Sequence, residues 1–252
     1  MFKKFELARQ MYNQYWGYLT PFQKRNVVQA LNNNKTIIKP RKTVSSVKKT
    51  KLADKYKAIR KKDCPNKIRV NNLIADLIKK DSRLKKGTAL ILDAETTLTL
   101  RTLLAIGYPK YLIDSVNYIE DTYKQIKAHH RQTYHMLLGD YIDMIGKIPE
   151  NKHSVTVAFP DYCCSIKGNK DMKPREDLIK FFTYKLLAKP SLLAITFSWR
   201  AGKKEVKEGH FESLTKLDNL ITQTAKDNGY LAVIKDGLSY KGSMFFRIYK
   251  IH

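Results

Sequence analysis

The chain has 252 residues, 43% of them hydrophobic, with a formal net charge of +25 and a pI near 9.8. That length holds one large domain, or a domain with an appendage, and supplies enough apolar residues for a core. No run of 18 apolar residues offers a membrane span, and the first residues lack the uninterrupted apolar stretch of a signal peptide.

Cys64, Cys163 and Cys164 form no CxxC pair and no disulfide framework, which predicts reduced thiols in an intracellular setting, cytoplasmic or nuclear. The charge is unevenly spread. Residues 1–90 carry 24 Lys and Arg against 5 Asp and Glu; residues 91–252 carry 24 against 18. A basic region of that kind points to a polyanion, nucleic acid before any other, and not to a membrane.

In chain order, Phe5, Ala8, Met11, Tyr12, Tyr15, Trp16 and Leu19 recur at helical spacing over residues 5–19. Thr20-Pro21 then reads as a cap and first position for a second helix over 21–31. The aromatics of the first helix suit docking on the protein's own core better than stacking on bases. Residues 35–51 contain no acid and read as an extended basic linker. Further helical segments are predicted over 52–61 and 70–80. Lys39, Arg41, Lys42, Lys48, Lys49, Lys51, Arg60, Lys61 and Lys62 are the candidates to neutralise phosphates without reading sequence. This N-terminal region is also where a protein partner would bind.

From Thr88 the rhythm alternates. Strands are predicted at 88–93, 111–116, 134–138, 155–159 and 191–197, with helices at 97–106, 118–130, 175–188 and 211–227 between and after them. A hairpin over 230–235 and 244–251 closes the chain. Short, continuously apolar strands separated by helices predict a doubly wound α/β fold with a mostly parallel sheet. The expected division is a basic helical region with linker over 1–87 and the α/β domain over 88–252.

Acids and aromatics gather at the carboxyl ends of the predicted strands, where open α/β sheets bind ligands. Asp161-Tyr162 follows the fourth strand, Asp93 and Glu95 with Thr97 follow the first, Asn117 the second, and Asp140-Tyr141 the third. Asp114 lies inside the second strand and reads as structurally paired. Cys163-Cys164 suits two small buried hydrophobes better than a thiol nucleophile. His129, His130 and His135 do not make a metal-ligand pattern, so no metal site is predicted.

Five β/α units and a terminal strand pair resemble the class I S-adenosylmethionine-dependent methyltransferase fold over residues 88–252. The resemblance implies a Rossmann-like fold with S-adenosylmethionine across the first strand ends. Asp93-Ala-Glu-Thr-Thr-Leu-Thr99 stands where that family has its glycine-rich loop, and does so without glycine. Asn117 stands at the ribose position. Gly139-Asp140-Tyr-Ile-Asp-Met-Ile145 resembles the Gly-Asp-Ala-x-Asp-x-Leu pattern, which would put Asp140 on the adenine amine and Tyr141 beside the ring. Asp93, Glu95, Thr97, Asn117, Asp140 and Tyr141 are thereby the implied cofactor contacts.

Asp161-Tyr-Cys-Cys-Ser165 resembles the Asp-Pro-Pro-Tyr signature of methyltransferases acting on exocyclic base amines, with Asp161 as acceptor and Tyr162 as stacking platform. Residues 155–200 most resemble tRNA guanine-N2 methyltransferases and uncharacterised virus-type relatives, which adds the host cell of a virus as a setting. The implied activity is methyl transfer to a base of a nucleic acid, RNA ahead of DNA. Asp161 would also serve as the acid of the Lys-Asp-Lys-Glu tetrad of ribose 2′-O-methyltransferases, a reading placed second for want of a lysine on the first or fifth strand. The remaining alternative is a non-catalytic, methyltransferase-like nucleic-acid-binding subunit of a larger assembly.

Overall fold

A computed structural model describes residues 65–162, 164–168, 171–198, 209–240 and 244–252. All of them belong to one compact unit, Ala58–His252. The helices expected over 5–19, 21–31 and 52–61 and the linker 35–51 lie outside the described residues.

The first described element is helix α1, Pro65–Lys80. Its buried Val70, Ile74 and Ile78 recur every four residues and form a single apolar stripe. Then come β1 (Thr88–Ile91), α2 (Leu98–Ala105), β2 (Ile113–Val116), α3 (Glu120–His129), β3 (Thr133–Tyr134) and α4 (Leu138–Gly146). They are followed by β4 (Val155–Phe159), α5 (Pro174–Thr183), β5 (Leu187–Ser198), α6 (Gly209–Asp227), β6 (Ala232–Tyr240) and β7 (Met244–Ile251).

The strands form one sheet in the order β3-β2-β1-β4-β5-β7-β6. The first five run parallel, and β7 enters antiparallel between β5 and β6. This is the expected doubly wound, mostly parallel sheet with a closing hairpin. Its centre is dry: every residue of β4 is buried, as a strand covered on both faces requires.

One face carries α1 and α2, whose Val70, Ile74, Ile78, Leu100 and Leu103 pack with Ala89, Ile91, Val157 and Phe159. The other face carries α4, α5 and α6 against Leu90, Ala158, Leu193 and Tyr249. Helix α1 thus shares the core of the sheet, although the sequence division grouped its residues with the basic region.

Two elements differ from their sequence reading. The third strand is two residues long, not five. Leu138, Tyr141 and Ile142 are buried at positions one, four and five of α4, so helical packing claims the segment that reads as a strand end. The helix expected to run to residue 188 stops at Thr183, and Leu187 already begins β5. Lys185 between them takes a left-handed backbone, φ 54°.

Buried His130 ties α3 to the sheet, with its Nε2 2.6 Å from the Ile113 carbonyl oxygen and no partner for Nδ1. That geometry places the ring proton on Nε2. Burial holds the imidazole below its ordinary pKa.

Candidate functional site

Strand β1 is bonded to β2 on one side and to β4 on the other. The chain therefore winds away from it in both directions, which makes the carboxyl ends of β1 and β4 the switch point at which open α/β sheets bind ligands. Asp93 follows β1 by two residues and Asp161 follows β4 by two.

The chain keeps an extended course after β4. Asp161 bridges to Thr196 in parallel, the Tyr162 N–H donates to the Thr196 carbonyl at 2.9 Å, and the Ser198 N–H donates to the Cys164 carbonyl at 2.9 Å. Strand alternation therefore continues past Phe159. Asp161 falls on the face of Val157 and Phe159, and Tyr162 on the face of Ala158.

That parity decides what each side chain meets. Asp161 faces the layer of α1, where Lys67 donates from Nζ to its Oδ2 as an ion pair. The Asp161 side chain is only 9% exposed and that of Lys67 is 31% exposed. The second carboxylate oxygen, Oδ1, is buried with no hydrogen-bond partner. A buried, unpartnered acceptor on a charged group is costly.

Tyr162 points the other way. It is 1% exposed within the core, and its hydroxyl donates to Asp177 Oδ2 at 2.8 Å. The stacking platform read from the sequence does not fit a ring packed on every side.

The β1 exit is built by its own acid. Asp93 is 5% exposed; Oδ1 accepts from the Ala94 N–H at 2.8 Å and Oδ2 from the Leu100 N–H at 2.9 Å. The carboxylate thereby holds the loop and satisfies a free donor in the first turn of α2. Burial raises its pKa to about 6, against those two hydrogen bonds, which lower it. Lys67 lowers and Asp161 raises the same group electrostatically, so the three charges form one cluster across the two strand exits.

Thr97 takes the left-handed backbone, φ 51°, that glycine usually occupies, and its side chain is buried. Asn117 is committed internally: Nδ2 donates to the Asp93 carbonyl at 2.7 Å, and Oδ1 accepts from the Ile119 N–H at 2.9 Å. It ties the β2 exit to the β1 exit. Asp93, Thr97 and Asn117, expected as direct cofactor contacts, are the frame of the site.

Tyr141 is also a correction. Its hydroxyl donates to Asp114 Oδ2 at 2.6 Å, and its ring packs 4.8 Å from that of Tyr134 inside the core. Asp114 is paired as expected, and burial raises it to about 6. Asp140 is exposed in the first turn of α4. Glu95 is half-buried, with the Thr122 hydroxyl donating to Oε1 at 3.5 Å. Cys164 is a half-buried thiol; Cys163 lies outside the described residues, as do Lys39, Arg41, Lys42, Lys48, Lys49, Lys51, Arg60, Lys61 and Lys62.

The ribose hydroxyls, adenine amine and ammonium of S-adenosylmethionine are hydrogen-bond donors and need acceptors. Glu95 and Asp140 keep accessible carboxylates at the strand exits, and this donor–acceptor chemistry fits. No group of three or more His, Cys, Asp or Glu residues among the described residues is placed to hold a metal. No helix among them is long and apolar enough to cross a membrane.

Two residues of the site escaped the sequence reading. Lys67 lies 94 residues from Asp161, and only the packing of α1 on the β4 face brings them together. Asp177, 5% exposed, is raised to about 6 by burial. The alternation of β4 continued to residue 162 would have flagged a buried phenol in need of an acceptor.

The sheet order, with its switch point between β1 and β4, is that of the Rossmann-like class to which methyltransferase folds belong. The chain is similar in structure to the Escherichia coli protein yhhF, described as a candidate methyltransferase, at 11% identity and a TM-score of 0.46 over 74% of this chain and 86% of that one. It is similar to a SAM-dependent methyltransferase from Archaeoglobus fulgidus at 10% identity and a TM-score of 0.42, over 71% and 94% of the two chains. The PH0226 protein from Pyrococcus horikoshii matches at 12% identity and a TM-score of 0.43, over 75% and 92%. At that distance these likenesses carry nothing about substrate or residue roles. No protein-family model matches the chain. No curated protein sequence matches it either.

Proposed function

We propose that the chain is an S-adenosylmethionine-dependent methyltransferase acting on an exocyclic amine of a nucleic-acid base, with RNA the preferred substrate. The observation that carries this reading is Asp161 at the sheet's switch point, with one carboxylate oxygen held by Lys67 and the other buried and unpartnered. An amine N–H is the donor such an oxygen lacks.

In this reading Lys67 fixes the carboxylate and Oδ1 accepts a hydrogen bond from the amine, which aims the nitrogen lone pair toward the switch point. The proton displaced on methylation leaves toward that same oxygen. Glu95 and Asp140 would accept from the ribose hydroxyls and adenine amine of S-adenosylmethionine, which when bound supplies an electrophilic methyl group. Asp93 and Asn117 hold the loop beside the switch point. Most of the catalytic gain would come from positioning, with a duplexed base flipped out at a cost of a few kcal/mol. The lysines and arginines of residues 39–62 would grip phosphates.

The Lys67–Asp161 pair also favours a second reading. An ammonium beside this acid supplies two groups of the Lys-Asp-Lys-Glu tetrad, for which the target is a ribose 2′-hydroxyl. Calorimetric titration of the full chain with S-adenosylmethionine tests the cofactor. Nucleoside analysis of methylated RNA and DNA then separates an N-methylated base from a 2′-O-methyl ribose. Absence of binding at millimolar cofactor defeats both readings. It would leave a binding subunit whose nucleic-acid affinity falls steeply with salt and does not change in Asp161→Ala.

A further inference from the structure

Asp177 takes no part in the chemistry above, yet it touches both halves of the site. It sits in the first turn of α5. On one side its Oδ2 accepts from the hydroxyl of Tyr162, the residue after Asp161. On the other side its Oδ1 lies 2.3 Å from where a β-carbon on Gly139 would be. Gly139 precedes Asp140 in the first turn of α4. A β-carbon there would force the carboxylate to move, because real β-carbon contacts do not fall so short.

We propose that Asp177 is a positioning residue that locks the start of α4, with Asp140, to the β4 exit, with Asp161. The assignment of roles to Asp140 and Asp161 rests on the function proposed above; the mechanical link does not. Three features support it. The carboxylate is buried between the two segments, so it is held by packing and not by solvent. The phenol that engages it is itself fully buried, so neither partner has an alternative in water. Tyr162 and Asp161 are adjacent on an extended strand, so fixing the ring in the core fixes the direction of the acid on the opposite face.

A second link between α4 and α5 gives a control. The Tyr184 hydroxyl donates to Asp143 at 3.0 Å, Lys180 Nζ reaches Asp143 at 2.7 Å, and Gly146 packs under the Tyr184 ring. It joins the same two helices at the far end of α4, away from the strand exits.

The test is hydrogen–deuterium exchange on the ligand-free full chain. Tyr162→Phe removes a hydrogen bond to Asp177 without touching α4. It is expected to speed exchange of the hydrogen-bonded Tyr141 and Ile142 amides roughly tenfold, with the β6–β7 hairpin unchanged. Tyr184→Phe, which removes a comparable bond at the other end, is expected to leave residues 160–162 as in the wild type. Asp177→Asn keeps an acceptor for Tyr162 and should fall between the wild type and Asp177→Ala.

Unchanged exchange at Tyr141 and Ile142 in Tyr162→Phe overturns the link. So does an equal response of residues 160–162 to Tyr184→Phe, which would mark general loosening of the helix pair. Calorimetry on the same variants then reads the functional consequence. If the wild type binds S-adenosylmethionine, Asp177→Ala should weaken binding about tenfold through Asp140, while Tyr184→Phe binds as the wild type does. A wild type that binds none defeats the cofactor reading alone and leaves the exchange result to decide the link.

Discussion

Removing Lys67 should cost more than removing the acid that it pairs with. In Lys67→Met the Asp161 carboxylate, 9% exposed beside its lysine, loses the donor on Oδ2, and Oδ1 has none already. Stranding one member of a buried ion pair costs about 3–5 kcal/mol. The lysine side chain is 31% exposed, so water can partly replace it, and about 3 kcal/mol is the expected loss. Asp161→Asn takes away one acidic neighbour of the ammonium. That group is the more exposed of the two, with a flexible stem and Asp93 nearby, and the expected loss is about 1 kcal/mol or less. The double variant, Lys67→Met with Asp161→Asn, should recover part of the loss seen in Lys67→Met, because it removes the stranded charge. Urea unfolding followed by circular dichroism at pH 7 measures all four proteins, with the slope confirming a common unfolding transition. An Asp161→Asn loss equal to or larger than that of Lys67→Met would refute the picture of a buried carboxylate neutralised by a half-exposed lysine.

Asp114, raised from 3.8 to about 6 by burial, holds a proton in the folded state that the unfolded chain has released over that range. Its contribution to stability is therefore full below about pH 4 and lost as pH rises through 6, by up to about 3 kcal/mol. Asp114→Asn keeps an acceptor for Tyr141, and its stability difference from the wild type should shift in its favour between pH 4 and 7; parallel pH curves would contradict this. His130 titrates in the opposite sense, because burial lowers its pKa. The stability it contributes should be present above the ordinary histidine range and decline as pH falls through it. Nitrogen-15 spectra should show a neutral ring with the proton on Nε2 at pH 6.5, and an imidazolium signal there would count against the buried geometry.

The fold was readable because its signals are local. Val155–Phe159 is apolar throughout and lies at the sheet centre, and the alternation of strand-like and helix-like runs gives the layer order. Where the reading slipped, tertiary packing outvoted the local pattern. Tyr134 to Leu138 looks like a strand, yet Leu138, Tyr141 and Ile142 fit a helical face better once a neighbouring layer exists to receive them. The site was half legible. The position of Asp161 follows from the end of its strand. Tyr162 turns into the core because the chain beyond β4 continues to pair with β5, which the residues after Phe159 do not announce. Asp93 and Asn117 have the right residue types at strand exits, but sequence does not say whether an amide or carboxylate turns toward a ligand or toward its own backbone. Lys67 carries no local signature at all, being one lysine among many in a basic segment.

The extended course of the chain beyond Phe159 has a consequence for how this site can change over time. Consecutive residues there face opposite layers, that of α1 at 161 and that of α5 at 162, and the strand's two-residue period alone keeps them apart. Exchange of one side chain at position 161 leaves the hydrophobic interior as it was. Gain or loss of a single residue between 159 and 161 would turn the phenol toward the α1 layer and the acid toward the α5 layer, so this segment is bound to a fixed length.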